Sequence, residues 1–426
     1  MQKISGVLIL LSFLLTLYSY FFNQDVILLS ALPLWLSVVF LFSSLANKKV
    51  LYILLALSTI FLGIALIQGY VINITQLFAI NQYLVTLLIG VGFLRLMATP
   101  KTEKLVDMPK GKKSFIKTYI SLHLFASVIN LSALLLVADK FYKKAQKLTS
   151  LQIILLTRAF SSDAYWSPFF VAFGAALTFT PKVNLMYIIG SGLTMALFVF
   201  ILTFLDIRQD KDIQAFEGFP LSYQNLILPF SLATLVLGTN HFYPHVKIIV
   251  LISLFCIFLA ILVLPIKEGF TNAISSFSNH ISTELPRMKT EISLFLIAGV
   301  FGVSVSTILS GIGFEFPFDY YDYKIAALVL FVFILLSMFG VHAIISISIF
   351  GHMLQVFDHT LVAITFLMAW ASTVSTSPFS GLNLTLHARY GVSTTEVLKL
   401  NLSFLVKTYL ICVLLLYIIS KALALN

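Results

Sequence analysis

The chain has 426 residues, of which 59% are hydrophobic and only 10% are charged, and its mean hydropathy is +1.01. Because a soluble globular domain carries roughly 25% charged residues, this composition excludes a water-soluble enzyme. The formal net charge of +10 does not indicate a nucleic-acid partner, since lysines and arginines concentrate in short loops, notably 101–113 and 140–147. That distribution is typical of the cytoplasmic loops of membrane proteins.

Continuous apolar runs recur along the chain, and each is long enough to cross a ~30 Å hydrocarbon core at about 1.5 Å per residue. Their continuity excludes an outer-membrane barrel, whose strands alternate in polarity. The sequence therefore predicts an all-α polytopic membrane protein. With Lys3 on the cytoplasmic side, the first crossings are predicted at 4–22, 26–46, 50–68 and 79–98. Residues 1–25 are interpreted as an extra, retained N-terminal helix and not as a cleaved signal peptide.

The next apolar segment, 115–138, is long enough to cross, yet a lysine-rich loop, 140–147, follows it. If the segment crossed, those lysines would face outside, against the positive-inside rule. If it enters from the cytoplasm and turns back, both flanking basic loops stay inside. Its centre, 127–132, is polar enough to form the tip, so we predict a re-entrant hairpin. The alternative is an ordinary crossing helix.

The following crossing, 151–180, is predicted to be interrupted. A helical pattern runs to Phe160 and gives way to a polar stretch that ends at Pro168. Proline lacks a backbone donor and biases the preceding residue away from the helical region. We therefore expect the helix to break at mid-depth, and a further crossing, 185–205, to return the chain to the cytoplasm.

The second half repeats this plan from the opposite face. Its hairpin tip is expected near Gly340 and His342, its helix break at 372–378, and its C terminus outside. The predicted elements are crossings at about 223–238, 246–265 and 291–310, a hairpin at 323–354, a broken helix at 361–386 and a last crossing at 400–419.

The two breaks align at an offset of 210 residues, because the tripeptide Ser-Pro-Phe that begins at Ser167 recurs at Ser377, and Ser162 corresponds to Ser372. Each half has an odd number of net crossings, so the second is expected to be inverted relative to the first. The prediction is about 11 crossings in two inverted repeats, 26–222 and 223–426.

This arrangement resembles the ion transporter superfamily, which includes the divalent anion/sodium symporters and the membrane subunit of TRAP carriers. The resemblance covers most of the chain and rests on architecture. In place of the symporters' paired Ser-Asn-Thr signature stand Ser162-Asp163 and Ser375-Thr376. The resemblance implies a secondary carrier for a small anion, driven by Na⁺ or H⁺, which often works as a dimer with an elevator-like movement.

Irregular backbone at mid-depth survives only where it is buried in protein or lines a wet cavity. The N-terminal ends of half-helices suit an anion, whereas freed carbonyls and Ser/Thr hydroxyls suit Na⁺. The alternative is a pair of kinks in packed helices. The predicted substrate-binding residues are Arg158, Ser162, Ser167, Ser375, Thr376, Ser377, Asn130 and His342. The predicted ion-coupling residues are Asp163, Ser127, Ser346 and Thr373.

Arg158 and Asp163 are the charged residues of the first break, and a charge near the bilayer centre costs at least ~2.5 kcal/mol. A break between them would let both side chains turn into one cavity, where Arg158 holds the anion and Asp163 takes part in ion coupling. The alternative is a structural ion pair that locks the break. Three further histidines rank lower as ligands: His123, His352 and His387.

We expect no catalytic residue, no metal site and no cofactor beyond Na⁺ or H⁺ as the coupling ion. The expected partners are a small anion, the lipid bilayer and a second copy of the chain in a homodimer, with no nucleic acid. The expected location is the inner membrane, with a cytoplasmic N terminus. The main alternative is a membrane-embedded polysaccharide polymerase or lipid-linked glycosyltransferase, although the first outer loop, 23–25, is short for such an enzyme. A channel or scaffold subunit is a further alternative.

Overall fold

The computed structural model describes residues 1–45, 48–98, 109–219 and 227–425. Within these ranges the regular structure is helical, and the extended pairing is limited to a single antiparallel bridge between Lys110 and Glu217. The predicted all-α class is therefore confirmed.

Nine stretches of the described chain are long and apolar enough to span a bilayer, which indicates a polytopic membrane protein. The predicted crossings at 151–180 and 223–238 are not in this set, because the first is interrupted and the helix in the second region has 16 residues. The nine are Gln2–Phe21, Gln24–Phe42, Lys49–Ile67, Ile74–Met97, Leu185–Ile207, Ile248–Glu268, Lys289–Gly311, His359–Tyr390 and Thr394–Ala422.

The helices are numbered in chain order. The first ten are α1 (Gln2–Phe21), α2 (Ile27–Phe42), α3 (Lys49–Ile67), α4 (Ile74–Ala79), α5 (Gln82–Ala98), α6 (Gly111–Ile129), α7 (Leu131–Ala145), α8 (Ser150–Ser161), α9 (Val171–Phe179) and α10 (Leu185–Ile207). The others are α11 (Ile227–Phe242), α12 (Ile248–Glu268), α13 (Phe270–Asn279), α14 (Leu285–Arg287), α15 (Lys289–Gly311), α16 (Tyr323–Met338), α17 (Ala343–Leu354), α18 (His359–Thr376), α19 (Gly381–Tyr390) and α20 (Thr394–Ala422). Short 3₁₀ turns lie at Gln24–Val26, Ser162–Tyr165 and Lys211–Gln214, and a π-helical turn lies at His280–Glu284.

The chain folds into two compact units, and neither is a linear half of the sequence. Both predicted repeats contribute to both units: the leading crossings of each repeat lie in the first unit, and the interrupted helix and last crossing of each lie in the second. The described residues of the first unit fall in Met1–Thr99, Phe230–Pro317 and Ile347–Gln355. Those of the second fall in Pro100–Pro229, Phe318–Ser346 and Val356–Asn426.

The first unit is packed from long apolar helices with polar groups paired inside. Gln82 of α5 donates from Nε2 to the hydroxyls of Ser12 (2.7 Å) and Thr16 (2.8 Å) of α1. Gly6 allows close packing of α1, since a Cβ at this position would lie 1.8 Å from the carbonyl oxygen of Ile281. All the predicted site residues belong to the second unit.

The second unit contains two helix–turn–helix turns with unusual backbone, although residues 347–354 of α17 belong to the first unit. α6 and α7 are joined by Asn130, whose φ is 49°, and the turn between α16 and α17 contains Gly340 at φ +93°. Positive φ is adopted readily by glycine and tolerated by asparagine, which explains these residue types. The two turns lie within the predicted hairpin tips, and their positive-φ residues stand 210 positions apart.

The two interrupted helices end beside the Ser-Pro-Phe tripeptides. α8 ends at Ser161 and continues as a 3₁₀ turn, and the helix resumes with α9 only at Val171. α18 ends at Thr376, and Ser377 adopts an extended backbone with ψ 127°, as a residue before proline favours. Its continuation, α19, begins four residues after Ser377. We call these interruptions the first break (162–170) and the second break (377–380).

Candidate functional site

Ser167 connects the first break to the first helix–turn–helix junction. Its hydroxyl donates a hydrogen bond to the carbonyl of Ser127 in the last turn of α6, and it accepts one from the backbone N–H of Phe169 at 3.2 Å. Ser167 is fully buried. One side chain therefore satisfies a carbonyl at the end of α6 and an N–H that the broken helix leaves free.

Ser377 repeats this arrangement at the second break. Its hydroxyl donates to the carbonyl of Ser337 in α16 at 2.6 Å and accepts from the N–H of Phe379 at 3.2 Å. Both serines reach a carbonyl 40 residues earlier in the chain. We refer to these two sets of bonds as the serine braces. Each brace ties a helix break to the turn that precedes it.

The first junction makes one further bond to its break. Asn130 donates from Nδ2 to the carbonyl of Phe169 at 3.1 Å. At the second junction Gly340 faces the ring of Phe379 instead, because an ideal Cβ on Gly340 would lie 3.5 Å from that ring. The two turns thus contact equivalent phenylalanines, one by a hydrogen bond and the other by packing.

The first break packs against α18, the helix that leads into the second break. The hydroxyl of Tyr165, in the first break, is 3.3 Å from the hydroxyl of Ser372 near the end of α18. Helix α10 approaches the first break closely at Gly192, where a Cβ would lie 2.3 Å from the carbonyl oxygen of Tyr165 and 2.7 Å from Cβ of Trp166. This packing places the first break between α10 and α18.

Asp163 is fully buried in the 3₁₀ turn of the first break, and its nearest titratable neighbour is a histidine. Its Oδ1 lies 2.7 Å from Nδ1 of His123 on α6. The same ring nitrogen lies 2.8 Å from the hydroxyl of Ser162, and the other, Nε2, accepts a hydrogen bond from the indole N–H of Trp166 at 3.3 Å. The structure therefore brings Asp163 to His123, a residue that ranks low in the sequence analysis.

Arg158 does not share a cavity with Asp163, and this expectation from the sequence is wrong. Its guanidinium donates from Nη1 to Asp206 of α10 at 2.8 Å, from Nε to Oδ1 of Asn401 at 2.9 Å, and from Nη2 to the carbonyl of Leu400 at 3.2 Å. It also lies over the ring of Phe404 at 4.1 Å. Because Arg158 sits before the break on regular helix, its side chain points towards α10 and α20.

Asp206 and Asn401 are buried or partly buried polar residues that the sequence analysis did not single out. Asp206 also accepts from Lys407 at 2.6 Å, so one carboxylate neutralises two cations. Asn401 donates from Nδ2 to the carbonyl of Ser375 at 3.1 Å, close to the second break. An asparagine inside an apolar run and an aspartate at the end of a predicted crossing are the signals that could have identified them.

Asn383 of α19 makes two hydrogen bonds to the backbone and side chains of the second break. Its Nδ2 donates to the carbonyl of Ser377 at 2.8 Å, and its backbone N–H donates to the hydroxyl of Ser380 at 3.1 Å. α19 therefore has a capped N terminus, whereas the structure gives α9 no side-chain cap. The first turn of α9 therefore lacks the side-chain cap that α19 has, and the N terminus of a helix is where an anion is favoured.

The other predicted site residues lie in or near the breaks and mostly bond within their own helices. Thr376 donates to the carbonyl of Ser372 at 2.6 Å, and Thr373 donates to the carbonyl of Trp370 at 2.9 Å. His342 accepts from the N–H of Ile344 and packs edge-on against Trp370 at 5.3 Å. Three others donate to backbone carbonyls: Ser162 to Ala159, Ser375 to Ser372 and Ser127 to Leu124.

Several buried acceptor oxygens near the breaks have no hydrogen-bond partner among the described residues. They are both carboxylate oxygens of Asp163, Oδ1 of Asn130, Oδ1 of Asn383 and Oγ of Ser346. Buried polar atoms are normally paired, so unpaired oxygens next to irregular backbone indicate groups that a ligand, ion or water can satisfy. Within the described ranges, no group of three or more His, Cys, Asp or Glu residues could hold a metal ion.

A cavity of about 720 Å³ opens at the base of the first helix–turn–helix junction, and no predicted site residue lines it. Its walls include Glu217, which pairs with Lys144 and with Lys110 at 3.3 Å. The hydrogen bond from Lys144 holds the pKa of Glu217 below its ordinary value. Acidic and basic groups are interspersed along the wall, so the cavity has no single-sign field of the kind that would select an anion.

The chain matches no protein-family model, and no curated protein matches it at a significant level of similarity. A function for this chain therefore rests on the geometry of the two breaks.

Proposed function

We propose that the chain is a secondary active transporter that moves a small anion across the inner membrane, coupled to Na⁺ or H⁺. The observation that carries this proposal is the pair of serine braces: Ser167 and Ser377 each reach a carbonyl 40 residues earlier, beside a helix break. Irregular backbone at membrane depth is tolerated only where it is buried in protein or lines a water-filled cavity. Two equivalent breaks in one unit are typical of carriers built from repeats.

The doubled arrangement also supports two inverted repeats. α6 to α10 and α16 to α20 follow the same order of helix, turn, helix, interrupted helix and long helix. The turn residues, the brace serines and their acceptor carbonyls all correspond at an offset of 210 residues. The N terminus is assigned to the cytoplasm and the C terminus to the outside, as the distribution of lysines favours.

The anion is assigned to the uncapped N terminus of α9, where free N–H groups and the positive end of the helix dipole meet. The residues proposed to contact it are those around the two breaks: Ser162, Ser167, Ser375, Thr376, Ser377, Asn130 and His342. Arg158 is reassigned from substrate contact to positioning, because three protein groups occupy its guanidinium. Asp163 remains an ion-coupling residue, with Ser127, Ser346 and Thr373.

Uptake into proteoliposomes tests the proposal. The purified chain is reconstituted, and labelled succinate, citrate, phosphate and sulfate are offered with a Na⁺ gradient, with a pH gradient, or with neither. We expect at least one anion to accumulate only when a gradient is present. Protein-free vesicles provide the control. Absence of gradient-driven accumulation for every anion would contradict the assignment.

The serine braces predict matched effects from two substitutions. Ser167→Ala and Ser377→Ala each remove a buried hydroxyl, its bond to a carbonyl and the acceptor for an N–H of the break, which costs about 1–3 kcal/mol of stability. Because both braces hold a break in place, we expect gradient-driven uptake to fall in both variants. Ser403→Ala, at an exposed position on α20, is the control and should change neither property. Full uptake in both brace variants would show that the breaks are only kinks.

The re-entrant assignment predicts that both ends of the first helix–turn–helix junction face the same side of the membrane. Single cysteines are placed at the exposed positions Lys113 and Lys143 and treated with an impermeant maleimide in intact cells. Both should be protected, whereas a cysteine at the exposed Asp319, in a predicted outer loop, should be labelled. Native Cys256 and Cys412 are buried and give little background. Labelling at only one of the two lysine positions would mean that the segment crosses.

A further inference from the structure

The two carboxylate oxygens of Asp163 differ in their neighbours. Neither has a hydrogen-bond partner among the described residues, but Oδ1 lies 2.7 Å from Nδ1 of His123, whereas Oδ2, the open oxygen, has no such ionic contact among them. The side chain is 0% exposed. A carboxylate can accept at both oxygens, and leaving one unpaired in a buried site is expensive. The open oxygen can therefore bind a cation or a proton.

The hydrogen bonds around His123 fix where its ring proton is. Trp166 donates to Nε2, so this nitrogen is an acceptor and carries no proton. The ring proton is then on Nδ1, which faces Oδ1 of Asp163, the hydroxyl of Ser162 and, at 3.4 Å, the carbonyl of Ala159. The ring is neutral in this arrangement and presents an N–H to the carboxylate.

The N–H of His123 also decides which ion the carboxylate can take. A hard cation such as Na⁺ needs several oxygen ligands around it. Beside Oδ1, the space that such ligands would need is filled by the imidazole N–H of His123, which repels a cation. A proton, in contrast, requires only the open Oδ2. We infer that Oδ2 of Asp163 is the proton-binding atom and that H⁺ is the coupling ion. The coupling part of this inference rests on the proposed transport function.

The other charged and titratable groups near Asp163 and His123 bond to groups outside this pair. The net charge of the pair therefore depends on the protonation of Asp163. Tyr119 of α6 donates to the carbonyl of Arg158 at 3.4 Å, and Tyr165, in the same turn as Asp163, faces Ser372 of α18. The charge of Arg158 on α8 is matched by Asp206 of α10. Binding of one proton to Oδ2 forms one O–H bond, breaks no other bond in the protein and converts a negative site into a neutral one.

Neutralisation has a direct consequence for movement through the membrane. An ionised carboxylate near the bilayer centre costs several kcal/mol, and the protonated form avoids most of this cost. The break that carries Asp163 also carries Trp166, whose indole holds His123 in the tautomer that faces the carboxylate. Loading and release of the proton on opposite sides would therefore be linked to the position of the break.

Infrared difference spectroscopy on the purified full-length chain tests the protonation site without any substrate. The carboxylic-acid C=O band is compared between acidic and alkaline buffers. We expect a pH-dependent band of a buried carboxylic acid that is lost in Asp163→Asn and retained in Asp25→Asn, the control at an exposed aspartate. His123→Gln should keep the band but shift its frequency, because the neighbour of the carboxyl group changes. A band that survives Asp163→Asn, or the lack of any such band in the wild-type chain, would overturn the inference.

Uptake measurements separate this inference from the proposed function. For the anion that accumulates in wild-type vesicles, we expect a pH gradient to drive uptake, a Na⁺ gradient to have no effect, and Asp163→Asn to lose the response to pH. Accumulation driven by Na⁺ alone would overturn proton coupling and leave transport in place. A titrating Asp163 in a chain that moves no anion would contradict the transport function and leave the protonation site in place.

Discussion

Replacing Arg158 by lysine should lower the unfolding free energy by about 3 kcal/mol, the largest effect expected from a charge-conserving change. Arg158 is 2% exposed and donates in three directions to Asp206, Asn401 and Leu400. A lysine ammonium retains the charge but cannot reach the three acceptors in their fixed geometry. The buried Oδ1 of Asn401 would lose its bond from Arg158, and the packing over Phe404 would be lost as well.

Arg389→Lys is the matched control for this prediction. Arg389 also pairs with an aspartate, Asp139, at 2.7 Å, but its side chain is 52% exposed. An exposed ion pair contributes up to about 1 kcal/mol, so the control should unfold at nearly the wild-type temperature. Thermal unfolding of both variants in detergent measures the difference. If the two variants lose equal stability, or if Arg158→Lys weakens anion affinity while its stability is unchanged, the positioning role of Arg158 is wrong.

Gly192→Ala should cost about 3 kcal/mol, because it forces two backbone segments apart. A Cβ at Gly192 would lie 2.3 Å from the carbonyl oxygen of Tyr165, so either α10 or the first break must move. The displaced segment includes Trp166, whose bond to His123 orients the ring beside Asp163. We therefore expect gradient-driven uptake to fall together with stability.

Gly190→Ala, two residues earlier on the same helix, separates this steric effect from helix propensity. A Cβ at Gly190 meets no other atom within 4 Å. Alanine is favoured over glycine in a helix by about 1 kcal/mol, so this control should be neutral or slightly stabilising. Stability and uptake are measured on both variants. Wild-type stability and uptake in the Gly192→Ala variant would show that the close packing of α10 does not hold the first break in place.

The local features of this fold were largely predictable from sequence, because they depend on residue type over a short range. Apolar runs predict the long helices, and Pro168 and Pro378 predict where helix cannot continue. The polar centres at Asn130 and Gly340 predict the turns, since few other residues adopt positive φ. The recurrence of Ser-Pro-Phe also predicts that Ser167 and Ser377 occupy equivalent positions.

What the sequence could not determine is which side chains meet across the second unit. Arg158 and Asp163 are five residues apart, which suggested a local pair, but Arg158 is bonded to Asp206 and Asn401 on α10 and α20, and Asp163 faces His123 on α6. Those partners are separated by up to 243 positions in the chain, a distance over which periodicity carries no information. Sequence thus determined the membrane class and the positions of the breaks. Only tertiary packing decided the charge partners, because a buried ionised group is stable only where a neighbouring group pairs with it or forms a hydrogen bond to it.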